Sequence, residues 1–283
     1  MAKFRLLHQL LLEQGVIQEA WVHRPVSIAR NDLEQIHPRT YREAFSRDQL
    51  TPAEQRRIGL PATRPLIRRT WLAVGGTLLT ARLALRHGVA CHLAGGTHHA
   101  HPTFGSGFCI FNDCAVAARV LLNEGKVRRI LLIDLDAHQG DRTAASFRPD
   151  PRVTTLSVHA ASNFPLRKAE GDIDIPLDDG TGDDDYLTAI ADRLPNTLDQ
   201  QKPDLVLFNA GVDPHRDDRL GRLSLSDTGL MLRDRLVLDA CLRRRVPIAS
   251  VIGGGYDALT PLVQRHAIVV RAAAEQARLF DLP

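Results

Sequence analysis

Four aliphatic runs in this chain end abruptly in residues that carry chemistry, and that repeated junction constrains the fold more than any other feature. "VACHLAG" leads into "GTHHAH", "ILLI" into "DLDAHQGD", "VLFNAG" into "VDPHRDDRLG" and "ASVI" into "GGGYDA". The runs are short and continuously apolar, as strands buried on both faces are. "VTTLSVH" is a fifth of the same kind. Between them "TWLAVGGTLLTARLALRHG", "CAVAARVLLNEG", "DDDYLTAIADRL" and "SDTGLMLRDRLVLDACLRRR" carry helical periodicity, and two of these end at Gly. Strands alternating with helices predict an α/β fold, an open parallel sheet with helices on both faces. Ligands bind such sheets just outside the carboxyl ends of the strands. Four distant segments therefore deliver His, Asp and Tyr to one sheet edge.

The chain of 283 residues is long enough for a large core. It shows no internal repeat, low-complexity tract or linker, so a single domain over residues 1–283 is expected. A hydrophobic content of 44% is ordinary for a soluble globular protein. The net charge of +3 makes no case for nucleic acid, and the basic runs "RPLIRRT" and "LRRRVP" lack interleaved aromatics and read as solvated faces. Cys91, Cys109, Cys114 and Cys241 form no CxxC pair, which fits reduced, buried thiols. No run approaches the roughly 18 apolar residues of a membrane span. The opening "MAKFRLLHQLLLEQG" is too charged for a signal peptide and reads as an amphipathic helix. A cytoplasmic protein is expected.

Residues two apart in an extended chain point the same way, so Asp136 and His138 can face one ion with an oxygen and a nitrogen ligand. Asp213 can add a third from another strand end. Three protein ligands and an open position make a catalytic zinc site, not a structural one. A DxH pair alone is weak evidence; the converging segments give it weight. His98 and His99 read either as a polar loop or as acid/base groups beside a metal-bound water, with His101 a nearby surface residue. Each imidazole would then need a carboxylate to set its tautomer, a task open to Asp134 and Asp141. Tyr256 follows three glycines that leave room for a phenol to reach a narrow site and donate to an oxyanion. The "GGG" is no phosphate loop, since neither GxGxxG nor GxxxxGK[ST] occurs.

The segments "AGGTHHAH", "GSGFCIFNDCAVAA", "IDLDAHQGD", "NAGVDPHRDDRLGRLSLS" and "IGGGYD" resemble, in order, those of the zinc-dependent histone deacetylase family within the arginase/deacetylase superfamily. "DLDAHQG", "VGGTLLTARLALRHG" and "RRVPIASVIGGGY" look most like the class IV branch and its bacterial relatives. The resemblance implies zinc ligation by Asp136, His138 and Asp213, with His98 paired to Asp134 and His99 to Asp141. His99 would be the general base and then acid, His98 an electrostatic partner, and Tyr256 the oxyanion donor. Phe108 would flank the channel for an acyl-lysine stem, with Phe164 a second wall and Gly107 offering backbone. Potassium is expected near Asp134, Asp136, His138 and Ser157. The implied reaction removes an acetyl or longer acyl group from acyl-lysine or a related N-acyl amine.

Two departures bear on that expectation. "IGGGY" stands where many relatives carry four glycines, which leaves Tyr256 in place. The family's earlier strand and rim loop, with its "GH" or "HRFP"-like element, has no counterpart, so an N-terminal edge element is expected to be missing, and with it part of the pocket rim. Alternatives are an acetylpolyamine amidohydrolase, an arginase-like enzyme with two manganese ions, or a catalytically weak binding module. "DAHQGD" misplaces the second acid of a DAHxD run and "GVDP" offers a single acid, which favours one metal over two.

Overall fold

The computed structural model describes residues 2–282. Helices α1 (Ala2–Glu13), α2 (Arg30–Leu33), α3 (Arg39–Ser46), α4 (Pro52–Ile58) and α5 (Arg64–His87) precede strand β1 (Val89–His92). The chain continues through α6 (Asp113–Asn123), β2 (Ile130–Asp134), α7 (Asp141–Phe147), β3 (Val153–Ala160) and β4 (Ile173–Leu177). It closes with α8 (Asp183–Gln201), β5 (Leu205–Asn209), α9 (Asp227–Arg243), β6 (Ile248–Val251) and α10 (Leu259–Leu279). The strands form one parallel sheet in the order β1-β6-β5-β2-β3-β4. The five expected strands are all present.

Strand alternation divides the core in two. Leu131, Ile133, Val206 and Phe208 point to the layer of α1, α8, α9 and α10. Ile130, Leu132, Leu205 and Leu207 point to the opposite layer, built on α5 and α6 with the short N-terminal helices. Helices thus cover both faces, which is why these strands read as unbroken aliphatic runs. β3 and β5 flank β2 on opposite sides, so the chain reverses direction across the sheet there. The gap beyond the carboxyl ends of β2 and β5 is the switch point at which such sheets hold ligands.

Local signals set several element ends. Ser226 caps α9 by accepting from the Gly229 N–H, and Asn112 caps α6 by accepting from Ala115. Thr51 and Glu54 form a capping box on α4, and Gly59 ends that helix with a left-handed φ of 75°. The structure also holds elements that the apolar pattern conceals. β4 carries Pro176 and two acids, Asp172 and Asp174, lie at or beside it, which is tolerable because it is an edge strand with one neighbour. α8 runs through Pro195 to Gln201, beyond the expected stop at Leu194, because Thr197 and Leu198 stay buried in its last turns. No helix among the described residues is long and apolar enough to cross a membrane. All four cysteines are free thiols.

Phe111 joins the N-terminal helices to the sheet. Its ring meets Tyr41, Phe45 and Trp71 edge-on at centroid distances of 5.7, 5.4 and 6.0 Å, and His37 at 5.1 Å. Deleting that ring leaves a cavity and removes several aromatic contacts at once. Phe111→Ala should lower unfolding free energy by about 3–5 kcal/mol in urea denaturation, with an unchanged m-value.

Candidate active site

Asp136 and His138 follow β2 on a segment held between its neighbours. The Leu135 N–H donates to the Asn209 carbonyl (3.1 Å) at the end of β5, and Ala160 at the end of β3 donates to Ala137 (3.0 Å). Asp213 lies four residues beyond β5. The structure brings one ligand atom of each of Asp136, His138 and Asp213 within 4.8 Å of the others, all three residues being buried. His138 Nδ1 is 3.0 Å from Asp136 Oδ1 and 2.9 Å from Asp213 Oδ2. Backbone donors orient the acids: Gly254 N–H to Asp136 Oδ2 (2.7 Å) and Ala137 N–H to Asp213 Oδ1 (2.8 Å). A Cβ at Gly254 would come within 2.6 Å of Asp136 Oδ2, and one at Gly211 within 2.5 Å of the same atom. Only glycine fits there.

Electrostatics suit this cluster to a cation. Burial, reinforced by Asp136, raises the Asp213 carboxyl to about 7. Burial works against a charged His138, yet Asp136 and Asp213 lift it to about 11. A site that grips an imidazole proton so firmly lacks positive charge. Two carboxylate oxygens and one imidazole nitrogen are a donor set that zinc accepts, so the residues fit such an ion. Among the described residues no other group of three His, Cys, Asp or Glu side chains converges in this way.

Behind the cluster stand two histidine–aspartate pairs. His98 Nδ1 lies 2.7 Å from Asp134 Oδ2, and His99 Nδ1 lies 2.8 Å from Asp141 Oδ1. The two imidazoles are 4.0 Å apart and tilted by 47°. Burial opposes charge on His98, but Asp134 and Asp136 raise it to about 9. Burial and the adjacent His98 depress His99 to about 4, against the pull of Asp141. The surroundings thus favour the charged form of His98 and the neutral form of His99. Environments that push a pair apart in this way assign acid/base roles.

Tyr256 stands edge-on to His138, with centroids 6.0 Å apart at 90°, and 5.7 Å from Phe108. Burial, together with Asp136 and Asp213, keeps its phenol protonated well above the ordinary range. The Tyr256 N–H donates to Asp218 Oδ2 (2.7 Å), and Arg265 ties the next residue, Asp257, to Asp217 and Asp227. Phe164 packs edge-on against His99 at 4.8 Å. A Cβ on Gly107 would meet His99 Cδ2 at 2.8 Å, which explains the glycine. Its N–H already donates to Arg57 (3.2 Å), leaving the carbonyl as the group that could face a substrate. Ser157 pairs in register with Asp134 on the neighbouring strand, and its hydroxyl lies 3.0 Å from His159 Nδ1. His101 lies outside this constellation, stacked on Phe104.

The comparisons with known proteins agree with this geometry. The histone deacetylase domain model matches residues 1–273. The chain belongs to the histone deacetylase family. It is 52% identical over 276 residues to an uncharacterized protein of Picosynechococcus sp., covering 97% of this chain and 92% of that one. It is 29% identical to histone deacetylase 2 of Arabidopsis thaliana, covering 90% of this chain and 68% of that one. It is 33% identical to the acetoin utilization protein AcuC of Staphylococcus aureus, covering 78% of this chain and 62% of that one. Among solved structures, an HDAC homolog from Aquifex aeolicus superposes with a TM-score of 0.82 at 26% identity, covering 98% of this chain and 77% of that one. Membership of the family makes this a deacetylase-type hydrolase.

Several residues that build the family's site here carry little sequence signal. Asp113, fully buried, accepts from Gly96 N–H (3.1 Å), Thr97 N–H (2.8 Å) and the hydroxyls of Thr97 and Thr77 (both 2.6 Å), which fixes the turn bearing His98 and His99. Asn209 donates to Asp134 Oδ1 (2.9 Å). Arg233 of α9 is completely buried and donates to the carbonyls of Leu135 (3.2 Å) and Gly211 (2.6 Å), clamping the two ligand-bearing segments from behind. In sequence Arg233 is one of many helix arginines, so nothing marks it. The glycine at 254 offers a direct test. Gly254→Ala should displace Asp136 and Asp213 and lower the metal retained after dialysis at least tenfold, while far-ultraviolet circular dichroism stays unchanged.

Proposed function

We propose that this protein hydrolyses the amide of an N-acyl amine, in particular acyl-lysine, with zinc held by Asp136, His138 and Asp213. The observation that carries the reading is the meeting of that buried donor set with two His–Asp pairs and the Tyr256 ring. The chemistry that zinc supplies in such a seat is Lewis acidity toward the carbonyl and acidification of water.

The remaining work falls to the chain's own residues. His99, neutral in its buried setting, accepts a proton from the attacking water and returns it to the leaving nitrogen. Water thereby adds across the amide C–N bond, releasing a carboxylate and a protonated amine. Asp141 holds the His99 ring in the tautomer that leaves Nε2 free to accept. His98, cationic beside Asp134, stabilises negative charge as it develops. The Tyr256 hydroxyl donates to the oxygen that gains charge when the carbonyl becomes tetrahedral. Phe108 and Phe164 present aromatic walls suited to a methylene stem. A potassium ion near Asp134, Asp136, His138 and Ser157 belongs to this reading through the family resemblance, supported by the register of Asp134 with Ser157.

A two-metal ureohydrolase fits less well, because Asp141 is engaged by His99 and Arg142 and not by the donor cluster. A binding module without activity would have no need of the buried charges. Turnover of acetyl-lysine, long-chain acyl-lysine and acetylpolyamine substrates should be abolished by chelator and restored by zinc. Tyr256→Phe should lower kcat by about 10²–10³-fold with little change in KM, as for loss of an oxyanion donor. Chelator-insensitive turnover, or full activity in Asp136→Ala, would sink the zinc assignment.

A further inference from the structure

The loops at this site combine exposed apolar side chains with arginines that form no salt bridge among the described residues. Phe108, Phe164, Leu166 and Leu220 are four of the chain's exposed large hydrophobic residues. The first two touch Tyr256 and His99, and the Leu220 carbonyl accepts from Asn163 Nδ2 (2.8 Å), which brings the other two loops together. Beside them stand three exposed arginines. Arg57 accepts the Gly107 N–H at its carbonyl and lays its guanidinium over Phe104 at 4.5 Å. Arg167 follows Leu166, and Arg219 precedes Leu220. None of the three makes a salt bridge among the described residues.

The acids of the same loops are otherwise engaged. Asp217 and Asp257 are bound by Arg265, Glu170 by Arg148, and Asp218 by the N–H groups of Tyr256, Leu220 and Gly221. Lys168 adds a further cation, directed at the carbonyls of Asn163 and Pro165. Arg57, Arg167, Arg219 and Lys168 are thus cations of these loops that no carboxylate binds in a salt bridge among the described residues.

From this we infer that the natural substrate is an acyl-lysine flanked by acidic and apolar residues, not by the basic residues of a histone-like tail, nor a cationic acetylpolyamine. The inference rests on the hydrolase reading and adds the class of polypeptide that the site takes. Arg57, Arg167 and Arg219 draw in carboxylates next to the acyl-lysine, while Phe108, Phe164, Leu166 and Leu220 receive its apolar neighbours. A basic flank meets like charge at three points. Such rim charges act through screened, longer-range fields, so their effect falls with salt.

Three acetyl-lysine peptides that differ only in flanking residues, Asp/Leu, Gln/Leu and Lys/Leu, test this on the zinc-loaded protein. Binding is read by fluorescence anisotropy and turnover separately by product release. At low salt the acidic peptide should bind at least tenfold more tightly than the basic one, with the neutral peptide between, and the spread should shrink severalfold at 0.5 M salt. Arg57→Gln/Arg167→Gln/Arg219→Gln should bring the three affinities within about twofold, and the matching triple lysine variant should keep the ranking. Equal or reversed affinities overturn the inference, as does a ranking that survives the glutamine variant. Binding of phosphatidylglycerol vesicles through these arginines, without discrimination among peptides, would overturn it in favour of a membrane surface. Ranked binding with no turnover of any substrate would leave the rim assignment standing and remove the hydrolase reading instead.

Discussion

Three carboxylates, Asp134, Asp136 and Asp213, are buried together at the carboxyl ends of two adjacent strands, and the rest of the structure accommodates them. Like charges removed from water cost several kcal/mol each unless donors and counter-charges surround them. Here the donors are backbone N–H groups of Ala137, His138 and Gly254, the amide of Asn209 and the imidazoles of His98 and His138. Glycines at 140, 211 and 254 let the main chain approach the carboxylate oxygens closely enough to serve. Asp136, His138 and Asp213 together form a donor set that could hold a cation. The sheet's switch point supplies the one place where two strand ends diverge and leave room for it.

The parts of this arrangement that were legible in the sequence are those in which one strand carries several functional positions. Asp134, Asp136, His138 and Asp141 follow one aliphatic run, so an extended backbone alone suggests their grouping. His98, His99, Asp213 and Tyr256 stand just past other strand ends, and a parallel sheet brings such ends to one edge. The β4 strand was concealed because Pro176 and flanking acids break the apolar pattern, which an edge position allows. Asp113, Asn209 and Arg233 were concealed for another reason: each acts through the main chain or through another side chain. Their roles depend on three-dimensional neighbours that no spacing rule encodes.

The short N-terminal helices also matter to the site, though they contribute no group to the metal cluster. His37 donates through Nδ1 to the Pro102 carbonyl (3.0 Å) and accepts at Nε2 from the Asn112 N–H (2.8 Å). Burial depresses it to about 4, so it keeps the neutral form that this pair of bonds requires. Asn112 caps α6 and reaches the His98 carbonyl (3.3 Å), while Thr97 Oγ1 lies 2.5 Å from the Phe111 carbonyl. The loop bearing both histidines is therefore fastened to the same aromatic cluster that docks α3 and α5. Packing in that layer thereby helps to fix the positions of His98 and His99.

Charge is segregated by depth, and the two zones obey different physics. Asp134, Asp136 and Asp213 lie inside, where low dielectric strengthens their interactions and salt penetrates little. Arg57, Arg167 and Arg219 are exposed, where solvent and salt screen their charge. A chain with the opposite arrangement, acidic at the rim, would draw basic tails toward the site and compete with its own centre for metal. Arg142 marks the boundary: its guanidinium pairs with Asp141 behind His99 and stands 5.9 Å from the Phe104 ring, the same ring that carries Arg57. Through that one side chain the carboxylate beside His99 is joined to the Phe104 ring and so to Arg57.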